Sequence, residues 1–137
     1  MGIDEYVNKP EIRSATGELK KHYAEIGKRF VFFDNRMNHN GDLYVVMRKV
    51  VGVNTPYESA EPRKHTVDAY MLFFGDGENL EGLKFEVLLG DEKKTYTSPK
   101  SVFIPKDTLN SYKIIEGSGY YMKLVKAPDG DYNNVTY

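Results

Sequence analysis

The chain contains no cysteine and no tryptophan. The first absence excludes disulfides, thiolate nucleophiles and cysteine-ligated zinc, and it leaves the redox compartment undefined. Neither sign of charge dominates: Lys and Arg number 19 against 20 Asp and Glu, a formal net charge of −1. With no basic excess to attract nucleic acid or an anionic membrane, neither is expected as a partner. Long apolar runs are also missing. The opening MGIDEYVNKPEIR has no signal-peptide core, and no run reaches the length that spans a bilayer, so a cytoplasmic setting is expected. There is no Gly-rich phosphate loop, nucleophile elbow or Walker motif, and GDGEN (75–79) lacks the ligand spacing of a calcium loop.

What is present is the composition of one globular domain. Over 137 residues, 40% are apolar and 28% charged. Eleven tyrosines and seven phenylalanines suit a β-rich core or a pocket lining. Residues 14–27 read as one short helix, because Leu19, Tyr23 and Ile26 fall at i, i+4 and i+7, with Ser14 or Thr16 as cap and Gly27 as stop. After it the period changes to two. Strands are predicted at 29–33, 43–53, 65–74, 83–90, 94–97, 101–105, 111–115 and 120–127. Asn40-Gly41 marks a hairpin turn within 35–42, and 54–62 reads as a loop. The expected organisation is a single domain over 1–137. It has a helical segment at 1–28, a β-barrel at 29–127 and a tail at 128–137, whose turn composition predicts mobility.

Two stretches carry a resemblance. RKHTVDAYMLFFG (63–75) has the shape of a His-x-His motif followed by Glu, with His65 in the second histidine position, Arg63 in the first and Ala69 in the glutamate position. A register one residue shorter places Asp68 there, but Ala69 shares strand parity with His65, as two ligands of one metal should. PKSVFIPKDTLNSY (99–112) fits a second motif of Gly, five residues, Pro-x-Gly and His. Pro99 stands at the opening glycine, Pro105 at the proline, Asp107 at the glycine and Asn110 at the histidine. On these motifs the chain, from His65 to about Lys126, resembles the single-domain bacterial cupins. The resemblance implies a mainly β, jelly-roll barrel, here with a short N-terminal helix. In that family three histidines and a glutamate hold a metal.

Here one of those four donors remains. Ala69 has no donor atom, Asn110 offers a weak amide oxygen, and Arg63 is a permanent cation that repels a divalent ion. The expectation is therefore a degenerate site with no metal and no other cofactor. His22 and His39 read as solvated surface histidines. Strand parity puts Arg63, His65, Ala69, Met71 and Phe73 on the interior face, with Tyr112, and Lys113 or Tyr120, near Asn110. Arg63 suits carboxylate or phosphate, Asn110 a carbonyl oxygen, and His65 proton transfer. The expected site is thus His65 as catalytic acid/base, with Arg63, Asn110, Tyr112, Met71 and Phe73 around a small anionic or carbonyl-bearing ligand. The competing reading has Arg63 leaving the barrel as a solvated charge and His65 as a core residue. Three functions remain open to such a pocket: a metal-independent isomerase, cyclase, dehydratase or lyase, a non-catalytic binding or regulatory protein, and a metalloenzyme with atypical ligands including His65. Tyr70, Leu72 and Phe74 face outward on the same strand, and this apolar strip is expected to pack under the N-terminal helix or against a second subunit, the latter predicting a homodimer.

Overall fold

The structure, a computed structural model, describes residues 2–37, 39–57 and 60–137. Asn38, within the turn expected at 35–42, and Glu58 and Ser59, within the loop expected at 54–62, lie outside the described residues. Among the described residues eight strands form: β1 (Glu11–Ile12), β2 (Arg29–Phe33), β3 (Leu43–Val53), β4 (Ala69–Gly75), β5 (Leu83–Leu89), β6 (Glu92–Thr97), β7 (Lys100–Ile104) and β8 (Asn110–Lys126). All pairings are antiparallel, in the order β1-β2-β3-β8-β4-β7, with β5 joining β8 on one side and β6 on the other.

β8 explains how one sheet makes two layers. Its second half, from Gly119 to Lys126, lies between β3 and β4, while its first half, from Asn110 to Gly117, pairs with β5. The bend falls on Gly117 and Gly119. Gly117 has φ +108°, and a Cβ there would stand 2.0 Å from the Gly82 carbonyl oxygen. A Cβ on Gly119 would stand 1.9 Å from that of Phe74. Only glycine lets the strand turn against its neighbours so closely. The layers then meet through interior aromatics, with Phe73 stacked on Phe85 at 3.7 Å between ring centroids. β1, β6 and β7 each pair with a single neighbour. The expected barrel is therefore an open, folded-over sheet with free edges.

The helix expected at 14–27 does not form. Gly17 (φ +83°) and Lys21 (φ +65°) are left-handed, and the Glu25 carboxylate draws the backbone into a loop by accepting from the amides of Ala15 (2.5 Å) and Thr16 (2.8 Å). Ala15 and Ile26 are buried, but Tyr23 is exposed, so the apparent apolar stripe never faces one surface. The only N-terminal helical element among the described residues is a 3₁₀ turn, Ile3–Tyr6. The tail also differs from expectation. It forms two 3₁₀ turns, Pro128–Gly130 and Tyr132–Val135, and buries Tyr132, Val135 and Thr136. Among the described residues no helix is long and apolar enough to cross a membrane.

Candidate functional site

The interior of a folded sheet should be apolar, and most of it is. Val31, Val46, Val50, Ala69, Met71, Phe73, Phe85, Ile104, Ile114 and Val125 fill it. Four cations break the pattern. Arg29, Arg48, Arg63 and Lys123 are 2%, 4%, 1% and 6% exposed, all on inward positions. Burying a charge is costly unless it is paired. Two have carboxylates: Arg29 Nη1 donates to Glu18 Oε2 at 2.7 Å, and Arg48 Nη1 to Glu25 Oε2 at 2.5 Å. Both carboxylates come from the loop at 14–27. Its side chains Leu19 and His22 line the remaining cavity.

Arg63 and Lys123 have no carboxylate partner among the described residues. They converge on one phenol. The Tyr132 hydroxyl accepts from Arg63 Nε at 3.1 Å and Lys123 Nζ at 3.0 Å, and lies 2.9 Å from His65 Nε2. The other ring nitrogen of His65, Nδ1, lies 3.4 Å from Asn110 Nδ2, which donates to the Thr108 carbonyl at 3.1 Å. Asn110 Nδ2 also donates to the Arg63 carbonyl at 2.9 Å, and the two backbones form a bridge. Arg63 further lies over the Tyr112 ring, 5.6 Å from its centroid.

The electrostatics follow. Burial, then Lys123 and Arg63, pull the His65 pKa down to about 2, so the imidazole is neutral. Burial, then Arg63, pull Lys123 down to about 8. Burial opposes ionisation of Tyr132, but Arg63 and Lys123 outweigh it and bring the phenol down to about 7. Tyr44 stays well above the usual tyrosine range, because burial dominates there.

The expected site residues are thus placed as follows. Arg63, His65 and Asn110 are buried together, and Tyr112 lies against Arg63. Met71 and Phe73 are deeper, within the apolar core. Lys113 and Tyr120 occupy positions on β8 alternate to the inward Tyr112 and Tyr121. Ala69 is buried on the inward face, whereas Asp68 is exposed and accepts from the Lys106 amide at 2.9 Å. Asp107 takes the left-handed conformation, φ +59°, that a glycine would adopt at that turn, and its amide bonds the His65 carbonyl at 2.6 Å. His22, expected on the surface, is half-buried at the cavity, 6.3 Å edge-on to Tyr132. His39 is exposed and stacks on Tyr6 at 4.4 Å. Lys123 and Arg48 were readable as charges on inward parity within YYMKLVKA and LYVVMRKVV. Tyr132 carried no pattern at all.

A divalent metal does not fit these donors. Of the four positions, His65 alone supplies a strong ligand atom, Asn110 adding only an amide oxygen, and the His65 ring already contacts Tyr132 and Asn110 between two buried cations. The remaining cavity is about 20 Å³, room for about one water molecule. Two outer clefts, of about 470 and 510 Å³, are lined by none of the expected site residues.

The two-layered antiparallel sheet folded on one long bent strand shares its fold with solved cupin structures. No family model matches the chain, and no curated protein matches it in sequence. Among solved structures it is similar to an RmlC-like cupin from Shewanella frigidimarina, at 17% identity and TM-score 0.50, over 85% of this chain and 82% of that one. It is similar to a protein from Planctomyces limnophilus at 12% identity and TM-score 0.53, over 94% and 96%. It also resembles an oxalate decarboxylase from Bacillus subtilis, at 12% identity and TM-score 0.58, over 88% of this chain but 30% of the enzyme. At these identities the likeness is one of fold.

Proposed function

We propose that the interior binds a small anionic metabolite, held by Arg63 and Lys123 and oriented by the His65–Asn110 pair, without a metal. The observation that carries this reading is the charge imbalance. Two buried cations share one tyrosine oxygen, to which Arg63 adds the Glu61 backbone carbonyl at 3.3 Å, and neither has a carboxylate among the described residues. An anion in that place offsets their desolvation, and a carboxylate offers Arg63 two acceptors where the phenol offers one. Binding is favoured over acid/base turnover because His65 is held neutral, with a pKa near 2, and is a weak base. Met71, Phe73 and Tyr112 then form the apolar floor beneath the ligand. The same reading includes a homodimer formed through the outer face of the sheet.

Small carboxylates should raise the thermal midpoint of the wild-type protein, and Arg63→Met should remove that effect while keeping a native circular dichroism spectrum. Stabilisation by ligand that is unchanged in both Arg63→Met and Lys123→Met would place binding elsewhere. A ligand at a hundred times its Kd should add about 2.7 kcal/mol of stability.

A further inference from the structure

The group that closes the interior belongs to the chain's own tail, and it sets a flat ring with one oxygen among the cations. We infer that the space filled by the Tyr132 side chain is the ligand site, that it is shaped for a planar aromatic carboxylate, and that tail and ligand compete for it. This rests on the anion-binding reading above and names its ligand class. The Tyr132 ring stacks on Tyr44 at 4.6 Å and 21°, with His65 at 5.4 Å and His22 edge-on at 6.3 Å. Its oxygen meets Arg63, Lys123 and His65 at 3.1, 3.0 and 2.9 Å. Those contacts define a slot with one stacked aromatic face, Tyr44, flanked by a tilted His65 and an edge-on His22, that ends in two cations, which is the complement of an arene bearing an anionic group.

With Tyr132 seated, the 20 Å³ left over cannot admit a second ring. The tail must leave for the ligand to enter. Its last residues are held on one short edge, where the Thr66 amide bonds the Val135 carbonyl at 2.8 Å and Lys64 and Tyr137 exchange backbone bonds at 2.7 and 2.8 Å, and by Asn133, which accepts from the Lys20 amide at 2.9 Å and donates to the Glu18 carbonyl at 2.8 Å. No strand of the sheet is broken when that edge opens, because the tail contributes only an isolated bridge, between His65 and Thr136.

The test is calorimetric titration of the full chain with benzoate, cyclohexanecarboxylate and acetate, in wild type and Tyr132→Ala, together with amide exchange in the wild type. Removing the ring should tighten benzoate binding by about tenfold or more, and benzoate should exceed cyclohexanecarboxylate by about tenfold. Saturating benzoate should also speed exchange of the Tyr137 amide in the wild type. Equal benzoate affinity in both proteins, with the Tyr137 amide still protected, overturns the competition and leaves anion binding standing. No carboxylate bound by either protein at tens of millimolar overturns both. If Tyr132→Ala does not fold, the exchange experiment decides alone: an unchanged Tyr137 amide at the highest benzoate concentration overturns the inference.

Discussion

Tyr132 and His65 sit at opposite ends of one hydrogen bond and should respond to pH in separate windows. Tyr132, opposed by burial but brought down to about 7 by Arg63 and Lys123, should ionise near neutral pH. Its phenolate absorbance should vanish in Tyr132→Phe and shift to higher pH in Lys123→Met. A native titration with no tyrosine ionising below pH 9 would contradict the geometry. The histidines act at lower pH. His65 and His22, lowered from 6.5 to about 2 and about 3 by burial and then neighbouring cations, stay neutral in the fold. Below pH 6.5 the unfolded chain takes up protons that the native state refuses, so stability falls with pH. Each histidine contributes about 1.4 kcal/mol per pH unit to that slope. Urea midpoints measured between pH 6.5 and 4.5 should fall accordingly, and His65→Asn should halve the slope. Arg63, His65 and Asn110 were legible because two-residue parity and a motif shape placed them. Tyr132 was not, because no period runs through an irregular tail, and its burial is decided by cations distant in sequence.

At the scale of elements, regular strands were legible and irregular ones were not. β2 and β3 fall where alternation put them, at Arg29–Phe33 and Leu43–Val53. β8 read as two strands because Gly117, Ser118 and Gly119 look like a turn, yet the chain there only bends, and both halves stay in the sheet. The loop at 14–27 looked helical because sequence spacing shows apolar residues but not the partners of Glu18 and Glu25, which are arginines inside the sheet. Two variants follow. Gly119→Ala forces a Cβ to within 1.9 Å of the Phe74 carbonyl oxygen. It should cost on the order of 3 kcal/mol, read as a lower urea midpoint with an unchanged slope. Glu25→Gln leaves Arg48 buried beside a neutral amide and loosens the loop. It should cost a similar amount, on the order of 3 kcal/mol, and should expose the amides of Ala15 and Thr16 to exchange, while Gly119→Ala should not do so selectively.

For the whole molecule, the outer face of the larger layer sets the remaining expectation. On that face the register aligns Phe103, Tyr70 and Leu124 in one row and Leu72 and Met122 in the next. Tyr70 and Phe103 are 48% and 52% exposed, and their rings lie 5.5 Å apart. Leu72, Phe74, Met122 and Leu124 are half-buried around them. No helix covers the strip, since the only N-terminal helical element described is a 3₁₀ turn with Ile3 and Tyr6 exposed. A monomer would keep this apolar row in water, whereas a second copy would cover it with the same row, as a two-fold interface requires. A stable pair would bury the row and its rim over an area of the usual size, ~800 Å² per partner. Sedimentation at tens of micromolar should therefore give twice the 15.7 kDa of one chain. Tyr70→Asp combined with Phe103→Asp brings like charges together across the axis and should return the mass to that of one chain without changing carboxylate binding, because neither residue lines the interior cavity. A wild-type protein that sediments as a single chain at that concentration would leave the face without the partner expected here.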